Sequence, residues 1–516
     1  MKSSNEIPIL VVGSGAAGTV LSVELARHGI AVRTIDRLAA PSTTSRAITL
    51  HSRTAELLER VDTRLIEKVM DRNIQSKGYI LHFVDADGRR RDVRPGLDFT
   101  TLDCRYPFLF IHRQSETEAI IRDYLKEEYG RETEWNTELK DFSQDQDGVT
   151  ATLLHNGRDG EEERVRCKYL IACDGGNSRV RRTLGLSQQG SDYSEAAFQN
   201  MDVFLEGFPD DDNYVHYCAG TDHFLMVARL PGGFYRLLLS DRGEADLDPT
   251  AAFKALLDKH FDGIRFGELV WHSKWNSQVR LADAYRQDRV FLVGDSAHVH
   301  STTGGQGMNC CMQDAFNLGW KLALVEKGLA KPALLDSYEL ERRPIAEQVI
   351  WAASALHEIF MAHGEDVDLR SKRMNDPEFV DAVIGRCSGI AYTYRDYVEQ
   401  PEEFAGMEGL AVGDRAPDVD LEGGGTIFDL TRHPGFTVLA LRGEDDPDAA
   451  LARIRRRFGA VLKTCTLEPS PALEARYGKD VRSRLYLIRP DGYVGFRCPA
   501  ADARALEACL ESQLKL

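Results

Sequence analysis

The residue types that could do chemistry in this chain gather around two glycine-rich turns. The string D-R-V-F-L-V-G-D-S-A-H-V-H-S-T-T-G-G-Q-G-M-N occupies residues 288–309. Asp295 follows a short apolar run, where a carboxylate leaving a strand can accept hydrogen bonds from sugar-like hydroxyls. Gly305, Gln306, Gly307, Met308 and Asn309 then open a helix. Glycines there let backbone approach a ligand and aim free N–H groups at an anionic or carbonyl oxygen. His298 and His300 lie between these features and are candidates for proton transfer, although a histidine in a buried turn commonly serves structure alone. The second turn is Gly13-Ser14-Gly15-Ala16-Ala17-Gly18, with Asp36 and Arg37 further on. Its glycines suit a tight turn and close approach to a pyrophosphate. Asp36 falls about 18 residues past the last of them, where a ribose-binding carboxylate belongs. This unit reads as a dinucleotide site, and Asp36 fits the adenosine ribose of FAD or NAD.

These residues need particular elements to hold them. Strands over 9–12 and 31–35 with a helix between them make a βαβ unit around the first turn. A strand over 290–293 and a helix from Met308 frame the second. A third motif, Cys173-Asp174-Gly175-Gly176-Asn177-Ser178-Arg179, follows a strand over 164–172. There Asp174 can cap the next helix, and Arg179 can tie two ligand-facing loops by charge-assisted hydrogen bonds. Ser45-Arg46-Ala47 precedes a helix near 53–60, and Arg113-Gln114 opens one over 116–129. Arg46 is equally readable as a solvated arginine. Over 201–275 the pattern becomes strands at 202–206, 224–230, 234–240 and 269–278, with one helix at 251–261. This is an antiparallel sheet, bringing Tyr217, Tyr235 and Trp275 as candidate substrate contacts. A long helix is expected over 332–361. After a polar stretch at 401–409, strands at 436–441, 484–488 and 493–497 and helices at 447–458, 471–477 and 503–513 suggest a small α/β unit.

Composition excludes several classes. With 516 residues, 43% hydrophobic and 28% charged, the chain is an ordinary globular protein of two to four units. A net charge of −17 argues against nucleic acid as a partner. No apolar run approaches the roughly 20 residues of a bilayer span, so no integral membrane association is expected. Ten cysteines without C-x-x-C or zinc-ligand spacing read as reduced thiols, hence a cytoplasmic protein. Adjacent Cys310 and Cys311 read as small buried residues rather than a vicinal disulfide. No metal site, nucleophile elbow or W-x-W-x-I-P halogenase signature is present.

Taken together and in this order, the glycine turn, the Asp-Gly motif and the Gly-Asp string resemble those of FAD-dependent aromatic hydroxylases, the group A flavoprotein monooxygenases of para-hydroxybenzoate and phenol hydroxylase type. The resemblance implies an α/β fold with α+β elements: a Rossmann-like FAD-binding domain over 1–200 and 280–400, and a β-sheet substrate domain over 201–279 joined by part of 75–108. A C-terminal thioredoxin-like domain over 410–516, lacking C-x-x-C, would complete it. The implied cofactor is non-covalent FAD, with NADPH or NADH as co-substrate, and dioxygen and a small aromatic molecule as partners. Asp295 would hold the ribityl chain, residues 304–309 would lie beside the isoalloxazine ring, and Arg46, Arg113, Gln114 and Asp174 would serve FAD or NAD(P)H. The implied reaction hydroxylates a phenol through a flavin C4a-hydroperoxide; a related flavoprotein oxidase or reductase, or an idle FAD protein binding an aromatic metabolite, is the alternative. Homodimerisation stays open. One departure stands out: many relatives carry prolines after the histidine of the Gly-Asp string, where this chain has His300-Ser301-Thr302-Thr303.

Overall fold

In the computed structural model, residues 6–157, 160–209, 213–221, 223–241, 248–361, 367–478 and 483–515 are described. The strand Glu6–Val12 is almost wholly apolar and sits at the centre of the first sheet, paired in parallel with Val32–Ile35 on one side and Glu162–Ala172 on the other. Val290–Leu292 extends the sheet, again in parallel, beyond Glu162–Ala172. Strands buried on both faces read as continuous apolar runs, which is why these were legible. The helix Ala16–Arg27 packs one face, with residues 16–26 all buried. It lies against Gly307–Glu326, where a Cβ at Gly319 would come within 2.6 Å of the Glu24 side chain. Strands Thr137–Gln144 and Val149–His155 form a hairpin onto the early part of Glu162–Ala172.

A second eight-stranded sheet lies over the first. Its order runs His298–Val299, Arg265–Ala282, Gln188–Glu206, Tyr235–Asp241, Phe224–Arg229, Val215–Ala219, Gly78–Val84, Arg90–Asp98. It starts at Gln188, earlier than the expected strand at 202, and the Arg265–Ala282 strand likewise runs past both ends of the expected 269–278. The strand Val215–Ala219 has no counterpart in the sequence reading: all five residues are buried, so no alternation marks it. The short strand His298–Val299, directly after the Gly-Asp turn, pairs with Arg280 and Leu281 and so fastens the floor to this roof.

The expected helix over 332–361 is a 3-10 turn, Pro332–Asp336, followed by Ser337–Met361 with Pro344 inside it. The last unit holds a four-stranded sheet in the order Leu462–Leu467, Phe436–Leu441, Arg484–Ile488, Val494–Pro499, with helices Asp448–Phe458, Pro471–Tyr477 and Ala503–Gln513. It docks through buried charge. Glu341 accepts from Arg489 at 2.8 Å on each oxygen, from Lys321 at 2.8 Å and from Asn317 at 2.7 Å. Burial opposes ionisation of Glu341, but Arg489 and Lys321 overcome it and hold the carboxyl far below its ordinary range. Among the described residues no helix is long and apolar enough to cross a membrane.

Candidate flavin and substrate site

Three motifs distant in sequence arrive together because three adjacent parallel strands end in register. Gly13 N donates to Ile35 O at 2.8 Å, Cys173 N to Val12 O at 2.8 Å, and Val293 N to Ala172 O at 2.9 Å. The glycine turn, the Asp-Gly motif and the Gly-Asp turn therefore share one edge, the carboxyl ends of the strands, where open α/β sheets bind ligands. The turn is as tight as its glycines demand. Gly13 has φ +102°, and a Cβ there would meet Cys173 O at 2.2 Å; one at Gly18 would meet Gly13 O at 1.9 Å. Gly15 is different: nothing lies closer than 3.9 Å to an added Cβ, so its backbone faces open space.

That space is a pair of adjoining cavities. The smaller, about 290 Å³, is lined by Gly13, Asp36, Arg37 and Asp174. The larger, about 400 Å³, is lined by Gly15, Ala16, Ala17, Arg46 and Gln114 near the first turn, and by Asp295, His300, Gly305, Gly307 and Met308 near the second. Cys173 and Gly175 line both. Tyr217 and Trp275 form part of the roof of the larger one. The remaining expected residues line neither. Ser14 is buried with its Oγ 2.7 Å from Thr133 Oγ1. Arg113 stacks over Phe234 at 4.5 Å and pairs with Asp202 at 3.2 Å. Tyr235 packs on Phe208, centroids 5.2 Å apart, because its place in the strand turns it away from the cavity. Gln306 accepts from Tyr392 at 3.2 Å, and Asn309 braces the loop from behind.

The carboxylates are partly committed and partly open. Asp36 accepts from Ser14 N at 2.8 Å and Leu38 N at 2.9 Å. Asp174 accepts at one oxygen from Arg179 N, 2.8 Å, and Val180 N, 3.2 Å, so it does cap the helix Arg179–Thr183; its other oxygen is buried without a partner. Tying of the two loops falls to Arg181, which reaches Ser296 O at 2.9 Å and Gly176 O at 3.0 Å. Arg179 instead pairs with Glu138 at 2.9 Å, two residues' rotation around a short helix deciding between them. Asp295 is exposed to the cavity and accepts only from Cys311 Sγ, 3.2 Å, among the described bonds.

The glycine loop is held without prolines. Gly304 and Gly305 adopt φ +91° and +65°, conformations that other residues rarely take. His51 Nε2 donates to Gly304 O at 3.0 Å. Asn309 accepts from His51 N at 2.9 Å and donates to Thr49 O and Gly305 O at 2.9 and 3.1 Å. Ser301 Oγ lies 3.0 Å from Thr303 Oγ1. Side-chain bonds thus brace a loop that carries no proline. His51 was invisible in the sequence because its partner is 253 residues away.

Behind the loop sits a fully buried chain of charge. Arg342 donates to Asp314 at 2.7 Å, and Asp314 pairs with His298 at 2.7 Å, with Cys310 Sγ 3.8 Å from the same imidazole nitrogen. Burial disfavours charge on His298, but Cys310 and Asp314 hold its proton well above the ordinary range. Asp314 is likewise resisted by burial yet kept low by Arg342 and His298. His298, Cys310 and Asp314 could in geometry ligate a metal; Arg342, bonded to Asp314 and 3.6 Å from Cys310 Sγ, already supplies the cation. His300 stacks over His298, centroids 6.3 Å apart and planes 9° from parallel. Its Nδ1 is 3.0 Å from Ser301 O, an acceptor only, so Nδ1 carries the proton and Nε2 presents a lone pair. Burial, then the charge on His298, pushes His300 down to about 4. Nε2 has no partner. His300 is thus a neutral, buried acceptor on the cavity wall.

The residues fit a dinucleotide-length flavin: an open glycine turn, an unpartnered Asp174 oxygen and the cavity-facing Asp295 run along the two adjoining cavities. Residues 6–353 match the family described as FAD binding domain, and residues 410–514 match aromatic-ring hydroxylase, C-terminal. The chain belongs to the FAD-dependent aromatic hydroxylases. It is 36% identical to pentachlorophenol 4-monooxygenase of Sphingobium chlorophenolicum, across 96% of this chain and 94% of that protein. It is 31% identical to 6-methylpretetramide 4-monooxygenase of Streptomyces rimosus, across 98% and 93%. Among solved structures, the OxyS anhydrotetracycline hydroxylase of Streptomyces rimosus superposes with TM-score 0.78 at 28% identity, covering 98% of this chain and 99% of that one. A ternary complex of aklavinone-11 hydroxylase with FAD and aklavinone gives TM-score 0.78 at 26% identity, covering 99% of each. The protein is an FAD-dependent aromatic monooxygenase with NAD(P)H as co-substrate.

Proposed function

We propose that this enzyme hydroxylates a phenol and that His300 Nε2 receives the hydroxyl proton as the ring is attacked. The carrying observation is the unpartnered Nε2 lone pair of a neutral imidazole on the wall of an aromatic-lined cavity. FAD, when bound, supplies the acceptor for hydride from NAD(P)H and the means of activating dioxygen. Gly15 and Asp174 would hold its phosphates and ribose side, Asp295 its ribityl chain, and the backbone of residues 305–308 the edge of its ring. The protein's own contributions are then three. Tyr79, Tyr217, Met226 and Leu238 exclude water from the reacting ring. His300 Nε2 orients the hydroxyl and withdraws its proton while the new C–O bond forms, so that the ring carbon ortho or para to the oxygen is nucleophilic. The glycine loop, fixed from behind by His51 and Asn309, keeps donors in place without reorganisation.

With a single βαβ dinucleotide unit in the sequence, NAD(P)H docks transiently, and a bound phenol is the natural trigger for flavin reduction. The cysteines described here are all unpaired, and on that ground we assign the enzyme to the cytoplasm. The test is stopped-flow reduction by NADPH, slow alone and much faster with a phenol, followed by product mass under labelled dioxygen. One labelled oxygen in the product is expected. Reduction that ignores every aromatic, with all oxygen released as hydrogen peroxide, would replace this reading with that of an oxidase.

A further inference from the structure

The roof over the larger cavity is apolar except at a few points, and two of them carry donors with nothing to bind. Tyr217 pairs with Met226, Met226 with Leu238 and Leu238 with Asn200, so one row of side chains crosses four strands and ends at an amide. All four residues line the cavity. Asn200 is 1% exposed, and its Nδ2 has no hydrogen-bond partner. Trp275 also lines the cavity, and its Nε1 is buried and equally without a partner. The two are diagonal neighbours on one face of the sheet, since Phe198 pairs with Trp275 and Asn200 with Ser273. The indole meets Phe198, stacked at 5.0 Å, and the Arg46 guanidinium at 5.6 Å.

An indole N–H can only donate. Buried donors are almost always satisfied, and these two sit side by side on the wall of the ligand cavity, where an acceptor carried by the ligand would meet them. That ligand is the substrate rather than the flavin, because the flavin-facing motifs belong to the opposite sheet and to the helix Gly307–Glu326. Nor is the nearby roof cation available to a ligand: Arg236 bonds Asp202 through Nε and Nη2 and reaches Ser45 O through Nη1 at 2.8 Å.

We infer that Asn200 and Trp275 form a donor pair selecting phenols whose ring carries a second oxygen acceptor, such as a carbonyl or nitro group. This deepens the phenol reading and rests on it. It also agrees with the chemistry at His300: an electron-withdrawing acceptor acidifies the hydroxyl, which suits a base of low proton affinity.

The experiment titrates FAD-loaded enzyme with 4-hydroxyacetophenone and its shape match 4-isopropylphenol at about pH 6, where both are protonated, reading the flavin absorbance change. Wild type is expected to bind the acetyl compound at least about tenfold more tightly. Asn200→Leu and Trp275→Phe should each bring that ratio towards one without altering affinity for the isopropyl compound or flavin content. Should Asn200→Leu lose its flavin, Asn200→Ala removes the same donor without adding bulk and carries the same expectation. A wild-type ratio near one, or a ratio untouched by the substitutions, overturns the inference while leaving the phenol reading intact. If neither compound perturbs the flavin or accelerates NADPH oxidation, the phenol reading itself falls.

Discussion

Replacing His300 by Phe removes the Nε2 acceptor while keeping a flat ring on His298. The structural cost is one bond to Ser301 O, 3.0 Å, and part of the stack at 6.3 Å, so the fold and flavin content should survive. The chemical cost follows from the role. A positioned general base contributes about 100- to 10,000-fold, or roughly 3–5 kcal/mol of barrier. With its proton affinity pushed down to about 4 by burial and by His298, only about one His300 in a thousand is protonated at neutral pH. The competent form is the neutral one, so its titration should produce no loss of turnover until pH falls towards 4. Two substrates separate catalysis from packing. A phenol that titrates near pH 10 needs its proton removed, whereas a strongly acidified phenol is already ionised at about pH 8. His300→Phe should therefore slow the first by about 100-fold or more and the second by only a few-fold, in single-turnover assays of substrate consumption. Equal losses on both would show that His300 merely packs, and a change under threefold on the weak acid would remove it from the mechanism.

Asp295→Ala should leave a folded protein that loses FAD on dilution, since each hydrogen bond to a charged group is worth about 1.5–3 kcal/mol; unchanged flavin retention would free Asp295 from that role. Acid precipitation of the wild type should leave all flavin in the supernatant, and yellow pellets would contradict non-covalent binding. Glu341→Gln leaves Arg489 and Lys321 buried without their shared carboxylate, which should cost about 3–5 kcal/mol and lower the melting temperature; an unaltered melt would mean the last unit is held by its apolar contacts. Replacing Cys465, Cys498 and Cys509 with Ser or Ala should preserve turnover, because none has a C-x-x-C partner and burial raises all three thiols. Loss of hydroxylation in a variant that stays folded and yellow would reverse that view.

Local signals settled a good deal. The glycine turn with Asp36, the Asp-Gly motif after its apolar strand and the Gly-Asp string each advertise a strand end by composition, because a buried parallel strand must be apolar and a turn that touches a ligand must be glycine. Short-range helix and strand periods fixed the C-terminal unit as well: Phe436–Leu441, Pro471–Tyr477 and Ala503–Gln513 fall where the pattern puts them. Tertiary structure decided what lies between the motifs. Only strand register brings residues 13, 174 and 295 to one edge, and only the crossing of two sheets makes a cavity of the space above them. Arg181 rather than Arg179 ties the loops, Tyr235 faces away, and His51 and Asn200 enter the site, because direction across a helix or pleat depends on packing partners far away in sequence. The partnerless nitrogens of His300, Asn200 and Trp275 are the clearest case. A sequence records which groups can bond, but whether a bond has been made depends on what the fold places within 3 Å.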